Sequence, residues 1–402
     1  MLNVKTIAEV NSIIKNRFGE IRLGCEQVPL ENALGRVLGK AISATEYVPD
    51  FNRSTVDGYA VISSDVFGCS DAIPALLTLN GESKMGVHTD IQLEKGQCGY
   101  VPTGAEVPQG ADAVVMLEFT DDLGDGSIAI YKPCAPGMNM IFRGDDVKPG
   151  ETIIPAGHRL TAAEIGALAA LGITDVPVVR PPRVAILSTG DELVPVNEPL
   201  TMGMIRDVNA PMLATAVRNI GGETQVFGIV KDEKAAIRDV VKKAIQGCDM
   251  LILTGGTSVG VKDAVSGIIE ELGELIVHGV AVKPGKPTIF GAIQEKPVFG
   301  LPGNPVAAYF MFHVLVQPLL FSMQGTTPTE FKEVAPLAHS ISSNHGREEF
   351  IPVQMKDGVA QPIAGKSGLI TTLSCADGFI CIPRDCEGLK QGEPVEVTYF
   401  RS

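Results

Sequence analysis

One stretch of the chain leaves few folds open to it. Arg183–Ser188 is a short apolar run of the kind buried on both faces of a sheet. Pro211–Ile220 has helical spacing and stops at Gly221, and Thr224–Val230 reads as a strand. Glu233–Gln246 reads as an amphipathic helix with Asp232 as its candidate N-cap. Met250–Leu253 is a buried strand, Ala264–Leu272 a helix and Val298–Leu301 a further strand. Asn304-Pro305 then opens a long helix, with Asn at the cap and Pro in the first turn. Strand and helix alternating in this way predict a three-layer α/β unit, a parallel sheet with helices on both faces.

In such sheets ligands bind at the carboxyl ends of the strands, and here those ends carry unusual sequences. The first strand runs into Ser188-Thr189-Gly190-Asp191-Glu192, and another into Thr254-Gly255-Gly256-Thr257-Ser258-Val259-Gly260 followed by Lys262-Asp263. Glycines let backbone N–H groups approach an anion, and a helix N-terminus just beyond favours negative charge. The loop is not a Walker A motif, since no Gly-Lys-Ser/Thr closes it. Lys283-Pro284-Gly285-Lys286-Pro287 holds two cations close together, which repel unless an anion lies between them. Pro302-Gly303-Asn304-Pro305 ends the last strand. Glu192, Asp232 and Asp263 lie beside these loops, where carboxylates commonly hold Mg²⁺.

The rest of the chain has a different texture. Its 402 residues exceed one ordinary core, so several domains are expected. Thr6 to Glu9 is a capping-box pattern opening a helix towards Phe18. From about Tyr47 to Phe142 the sequence is rich in Gly and Pro with short β-prone runs, including Ala113–Met116 and Ser127–Tyr131, and is read as mostly β. A second capping box, Thr161 to Glu164, starts a helix closed by Gly172. That helix is nearly all apolar and is expected to be buried on most sides. Pro177–Pro182 marks a boundary, and beyond Phe321 short strand-like runs such as Glu349–Gln354 and Gly378–Ile382 predict a small β domain.

Composition narrows the function. With 33 basic and 47 acidic residues the net charge is −14, which repels nucleic acid and anionic lipid but admits a small anion into a local basic pocket. No signal-peptide run and no stretch of membrane-span length is read, so a cytoplasmic protein is expected, without membrane or nucleic-acid partners. None of the eight cysteines has CxxC spacing, which favours reduced thiols. The alternative, a zinc site from Cys375, Cys381 and Cys386, lacks nearby histidines. The expectation is an α/β enzyme acting on an anionic phosphorylated substrate.

Two further clusters lie in the β-rich segment: Asn52–Ala60, and Thr103-Gly104-Ala105 with Val107-Pro108, Ala111–Val115 and Glu118. By themselves they are polar turns feeding strands. The ordered set SxxDGYA, PTGAxxPxGADAVVxxE, RGxD, STGDE, TGGTSxGxxD, KPGKP and LPGNPV, however, resembles the bacterial molybdopterin molybdenumtransferase (MoeA) family, to which the gephyrin E-domain also belongs. The resemblance runs from about Glu31 to Gly378.

It implies an elongated homodimer of four domains. In this chain they are residues 20–46 with 143–176 (linker and dimerisation), 47–142 (β-rich), 177–322 (the molybdopterin-binding α/β unit) and 323–402 (C-terminal β). Residues 1–19 form a helix packed on the α/β unit. It implies that adenylylated molybdopterin and molybdate are substrates, with AMP released, Mg²⁺ required, and an active site shared between subunits. Asp57, Thr103, Glu192, Asp232 and Asp263 fall on catalytic positions, the last two also on metal positions. Gly255, Gly256, Thr257, Ser258, Gly260, Pro302 and Asn304 fall on the substrate loops, and Arg143 with Asp146 on the RGxD segment. Lys283, Lys286 and Pro287 match the molybdate loop, joined by Arg347 and Ser367. Val56 and Ala307 depart from the family's usual Met and Ser. A partner adenylyltransferase and recipient molybdoenzymes are expected. The alternatives are a molybdopterin adenylyltransferase, a tungstate-specific insertase and a receptor scaffold.

Overall fold

The computed structural model describes residues 4–255, 264–327, 330–363 and 371–400. The chain exposes 20018 Å², well above the roughly 15,000 Å² that size scaling gives a single compact body of this mass. Its apolar side chains divide accordingly among several separate cores.

The α/β unit is a six-stranded sheet in the order Glu223–Val230, Arg183–Thr189, Met250–Thr254, Lys296–Leu301, Ile289–Ile293, Glu274–His278. The first four strands are mutually parallel, and Ile289–Ile293 runs antiparallel to both its neighbours. The sheet is therefore mixed rather than wholly parallel. A tight turn at Gln294–Glu295, with both residues at positive φ, makes an antiparallel hairpin of what would otherwise be a crossover. Alternation along the strands fixes the layers. Val184, Ile186, Met250, Ile252, Phe299 and Leu301 face one core, while Ala185, Leu187, Leu251, Leu253 and Val298 face the other. Lys234–Gly247 and Ala264–Leu272 cover the second face; Asn209–Asn219, Ile7–Phe18 and the Pro305–Met323 helix cover the first. Phe18 meets Phe290 edge-on at 5.7 Å.

Two expectations about these helices change. Glu233, not Asp232, occupies the N-cap of Lys234–Gly247, and it makes no side-chain capping bond; the Asp232 N–H instead donates to Asp191 Oδ1 at 3.2 Å. Asn304 does sit at the N-cap of Pro305–Met311, again without a side-chain capping bond. The 19 residues Pro305–Met323, with a π-helical turn at Phe312–Val316, are long and apolar enough to cross a membrane, contrary to the sequence reading. Here Phe310, Phe312, Leu315, Leu319 and Leu320 fill the first core, so the apolarity has a use within the fold.

Segments before and after the β-rich unit pair with each other: Cys25–Pro29 with Asp175–Val179, and Ile42–Ser43 with Thr152–Ile154. Both predicted capping boxes form, Thr6 with Glu9 and Thr161 with Glu164. The helix Ala162–Ala170 corrects its expectation, since only Leu168 is buried and Ala162, Ala163, Gly166, Ala169 and Ala170 are exposed. Alanine and glycine have too little surface to force burial on several sides.

The β-rich unit is a six-stranded sheet in the order Ala113–Met116, Gly58–Val61, Gln97–Val101, Ala75–Glu82, Ser127–Ile130, Thr120–Asp122. Gly58 lies so close to the neighbouring strand that an added Cβ would sit 2.0 Å from the Val115 carbonyl oxygen. The C-terminal sheet runs Val282–Lys283, Glu348–Lys356, Gly378–Ile382, Pro394–Tyr399, Lys332–Pro336. Its first strand belongs to the α/β unit, with Val282 opposite Glu348 and Lys283 opposite Glu349.

Two stability measurements follow from this packing. Gly58→Ala should destabilise the protein by about 2 kcal/mol through forced strand separation, read as a lowered denaturation midpoint; unchanged stability would show that the strands yield freely. The Thr161 hydroxyl and then its N–H, which donates at 2.7 Å, hold the Glu164 carboxyl down at about 2. Its contribution is full above the ordinary glutamate value of 4.5 and drains away as pH falls towards 2. Glu164→Gln should therefore be less stable than wild type near neutrality, with the gap closing in acid; a gap independent of pH counts against this.

Candidate functional site

The parallel strands deliver Thr189, Val230, Thr254 and Leu301 to one edge. The connection Gly279–Thr288 also lies there, because Glu274–His278 ends at that edge and the antiparallel Ile289–Ile293 begins there. Strand direction alone thus gathers five loops. Gly255, at φ +86°, follows its strand so closely that a Cβ would lie 2.1 Å from the Thr189 carbonyl oxygen. Its N–H donates to the Leu301 carbonyl at 3.3 Å, and its Cα is 3.7 Å from where a Cβ on Gly303 would be. Asn209 Nδ2 donates to the Gly303 carbonyl at 2.8 Å. Gly256, Thr257, Ser258, Gly260 and Asp263 lie outside the described residues, as does Ser367.

Carboxylates collect where the first two strands end. Asp191 accepts from the Asp232 N–H, and Glu192 folds back over Gly190, where a Cβ would meet Glu192 Oε2 at 2.9 Å. Among the described residues no three His, Cys, Asp or Glu side chains are grouped for a metal.

Further along the same edge is a pocket of about 260 Å³ lined by Lys283, Lys286, Pro287, Pro302, Asn304 and Arg347. These residues come from three separate sequence segments, and Arg347 belongs to the C-terminal sheet unit. Ala307 also lines the pocket and presents only a methyl group where a serine would offer a hydroxyl. The charged side chains lining this pocket are all cationic, in a chain of net charge −14. Thr288 fixes the loop by donating its N–H and hydroxyl to the Gly285 carbonyl at 3.1 and 2.6 Å. Gly285, at φ +129°, faces Met311 at 2.9 Å from where a Cβ would be. Lys283 Nζ is 2.7 Å from Glu349 Oε1, a buried carboxylate whose other oxygen accepts from Ser343 Oγ at 2.6 Å. Sequence reasoning missed Glu349, because nothing local signals that a two-residue strand at Val282–Lys283 pairs with Glu348-Glu349.

Asp57 and Thr103 form a second group on the β-rich sheet, which has cores of its own. Gly58 pairs with Val101, which brings the Thr103 N–H onto Asp57 Oδ1 at 2.7 Å. Near them Leu117, whose N–H donates to the Asp57 carbonyl, and Met85, which lies against Gly104, are exposed. Arg143 is engaged within this unit: its Nε and Nη2 donate to Asp50 Oδ1 at 2.9 and 2.7 Å, and its guanidinium lies 4.1 Å above the Tyr47 ring. Asp146 donates its N–H to the Val48 carbonyl. Burial pushes the Cys98 thiol up to about 12 and Cys134 to about 11, so neither supplies a thiolate nucleophile at neutral pH.

Comparison with known proteins places this architecture. The MoeA N-terminal region (domain I and II) matches residues 5–172, a probable molybdopterin binding domain matches 185–322, and the MoeA C-terminal region (domain IV) matches 334–400. The class is thus a multidomain protein built around a molybdopterin-binding type of α/β unit. A molybdopterin molybdenumtransferase of Bacillus subtilis is 33% identical over 386 residues, covering 94% of this chain and 90% of the relative. A putative molybdopterin biosynthesis protein of Methanocaldococcus jannaschii is 35% identical over 385 residues, covering 94% and 92%. The solved structure of a molybdopterin biosynthesis MoeA protein from Pyrococcus horikoshii superposes with a TM-score of 0.88 at 39% identity over 100% of both chains. This chain belongs to the molybdopterin molybdenumtransferase family, the MoeA proteins.

Gly255→Ala should abolish any function of this edge and destabilise the fold by about 2 kcal/mol or more, since it combines a left-handed φ with a clash against backbone. The check is ligand binding beside thermal denaturation, and a variant with wild-type values in both would remove Gly255 from the site.

Proposed function

We propose that this protein inserts molybdenum into molybdopterin in molybdenum cofactor biosynthesis, taking adenylylated molybdopterin and molybdate and releasing AMP. The observation that carries this reading is the pocket where Lys283, Lys286 and Arg347 converge beside Gly255 and the strand ends. Molybdate is a compact dianion, and charge-assisted hydrogen bonds from ammonium and guanidinium groups hold and orient it. The loop beginning at Gly255 takes the phosphate side of the pterin, because backbone N–H groups ahead of a helix favour anions. Ser367 would add a hydroxyl to the oxyanion, and Asn304 with Pro302 shapes the floor.

Mg²⁺ fits the donors present. It is held through one or two carboxylates with waters and substrate phosphates, not by an all-protein cage, and Asp232 lies against Asp191 at the same edge. Asp232 and Asp263 would hold it, where it supplies neutralisation of phosphoanhydride charge. The carboxylate of Asp57 or Glu192 accepts the proton from an attacking water, or positions an attacking oxyanion that carries no proton. Thr103 holds the Asp57 carboxylate in place through its N–H.

Asp57 and Thr103 stand on a sheet whose cores are separate from the cationic pocket, with the exposed Leu117 and Met85 nearby. A homodimer in which the β-rich unit of one subunit faces the α/β unit of the other joins the two groups. The exposed Ala/Gly face of Ala162–Ala170 gives the linker unit a surface for that contact. We place the reaction in the cytoplasm, in sequence with an adenylyltransferase that supplies the substrate and with molybdoenzymes that receive the product.

The test is incubation of purified protein with adenylylated molybdopterin and Mg²⁺, with and without molybdate, measuring AMP and metal-bound pterin. AMP release that depends on molybdate is expected, with Lys283→Ala and Lys286→Ala each lowering it about 100-fold. No AMP release under conditions where a relative is active would sink the proposal. ATP consumption would move the protein to the adenylyltransferase class, and turnover with tungstate alone would make it a tungsten insertase.

A further inference from the structure

We infer that Glu349 is a positioning and charge-setting residue of the oxyanion pocket: it fixes the Lys283 ammonium and lowers the pocket's positive charge to match a dianion. The inference rests on the oxyanion reading of that pocket. Three observations carry it. Lys283 and Glu349 are register partners across a parallel strand pair, so their contact is built into the backbone. Lys283 Nζ lies 2.7 Å from Glu349 Oε1, and the carboxylate is nearly sealed while the lysine is half exposed. The second oxygen is satisfied by Ser343 Oγ at 2.6 Å, so the carboxylate cannot turn away without losing that donor.

The charge count gives the geometry a purpose. Lys283, Lys286 and Arg347 are the charged groups lining the pocket, all cationic. Glu349 does not line it, but its carboxylate touches one of the three from behind. Three cations less one carboxylate leave a formal charge of two, equal and opposite to a tetrahedral dianion. With three uncompensated cations the bound anion would be over-held. A pocket that hands its anion on to another ligand must bind it weakly enough to let go. One Lys283 N–H is committed to Glu349, which leaves the others for the pocket and removes the rotational freedom of a long side chain. Glu349 comes from the C-terminal sheet unit, so correct charge and correct aim of Lys283 require that unit to be docked.

The electrostatic role has a signature that mere packing lacks. Glu349→Gln is isosteric and keeps an acceptor for Lys283, but removes the opposing charge. Measured by titration calorimetry with sodium molybdate on the whole protein, it should bind the anion roughly fivefold tighter at low salt. That gain should shrink at about 1 M salt, where the screening length is about 3 Å, without vanishing, since the buried carboxylate is screened less than exposed charges. Glu349→Asp keeps the charge and should stay near wild type. Ser343→Ala removes the donor that anchors the second carboxylate oxygen, lets Glu349 turn away from Lys283, and should tighten binding by a smaller factor than Glu349→Gln, roughly twofold. Glu349→Gln binding no more tightly than wild type, with an unchanged melting temperature, overturns the inference. If Glu349→Gln does not fold, Ser343→Ala decides it, and unchanged or weaker binding there overturns it. Lys286→Ala is the reference. Molybdate binding that survives it, or is absent from the wild type, removes the pocket reading itself and the inference with it. Loss in Lys286→Ala beside an unaltered Glu349→Gln removes only the inference.

Discussion

The burial of three adjacent strands on both faces decides where this protein can do chemistry. Arg183–Thr189, Met250–Thr254 and Lys296–Leu301 send alternate side chains into two different cores, and almost none of their positions reaches solvent. A strand of this kind has no room for a functional polar group along its length, because an unpaired buried polar group costs about 1–3 kcal/mol. Such groups are displaced to the ends, where Thr254 Oγ1 donates to Ser188 Oγ at the last shared level of the ladder. Since these strands are parallel, their carboxyl ends coincide and the displaced groups accumulate at one edge. The antiparallel Ile289–Ile293 strengthens this arrangement, because its reversal turns the Lys283–Pro287 connection back to the same edge.

The pocket is nevertheless not a property of the α/β unit alone. Val282–Lys283 is a strand of the C-terminal sheet although it is covalently part of the α/β segment. Backbone hydrogen bonds in that short ladder align Lys283 with Glu349, and Arg347 arrives two residues earlier on the same chain. Phe310, stacked with Phe350 at 5.6 Å and edge-on to Phe379 at 5.4 Å, seals the joint behind it. The cationic wall is therefore assembled across a domain joint, and its geometry depends on aromatic packing in a chain where aromatics are only 5% of the residues.

This explains which parts were legible in the sequence. Ala264–Leu272 has the limits its periodicity predicts, and the strands of the α/β unit lie within a residue or two of theirs. Those elements bury regular stripes, and burial is what periodicity records. The two capping boxes were legible because their hydrogen bonds span three residues. Glu274–His278 and Ile289–Ile293 were missed because they close the sheet on its antiparallel side, off the β-α rhythm that identified the others. Burial of Ala162–Ala170 was misjudged because apolarity was read as demand for cover, which alanine scarcely makes. At the site, the lysines were legible as two cations held close together in a Pro-rich loop, whereas Arg347 came from motif resemblance, which carries tertiary knowledge implicitly. Glu349 carries no motif, and only the fold places it against Lys283.

A net charge of −14 is compatible on physical grounds with the dianion binding proposed for this pocket. At physiological ionic strength exposed charges are screened beyond about 8 Å, so the distant acidic surface contributes little inside the pocket. What an anion would meet there is set by Lys283, Lys286 and Arg347, in a pocket also lined by Pro284, Pro287 and Pro302. Screening does not reach the Lys283–Glu349 contact to the same degree, because the carboxylate is sealed from solvent. Glu349, buried against Lys283, is thus placed to offset the pocket's charge in a way that exposed carboxylates are not.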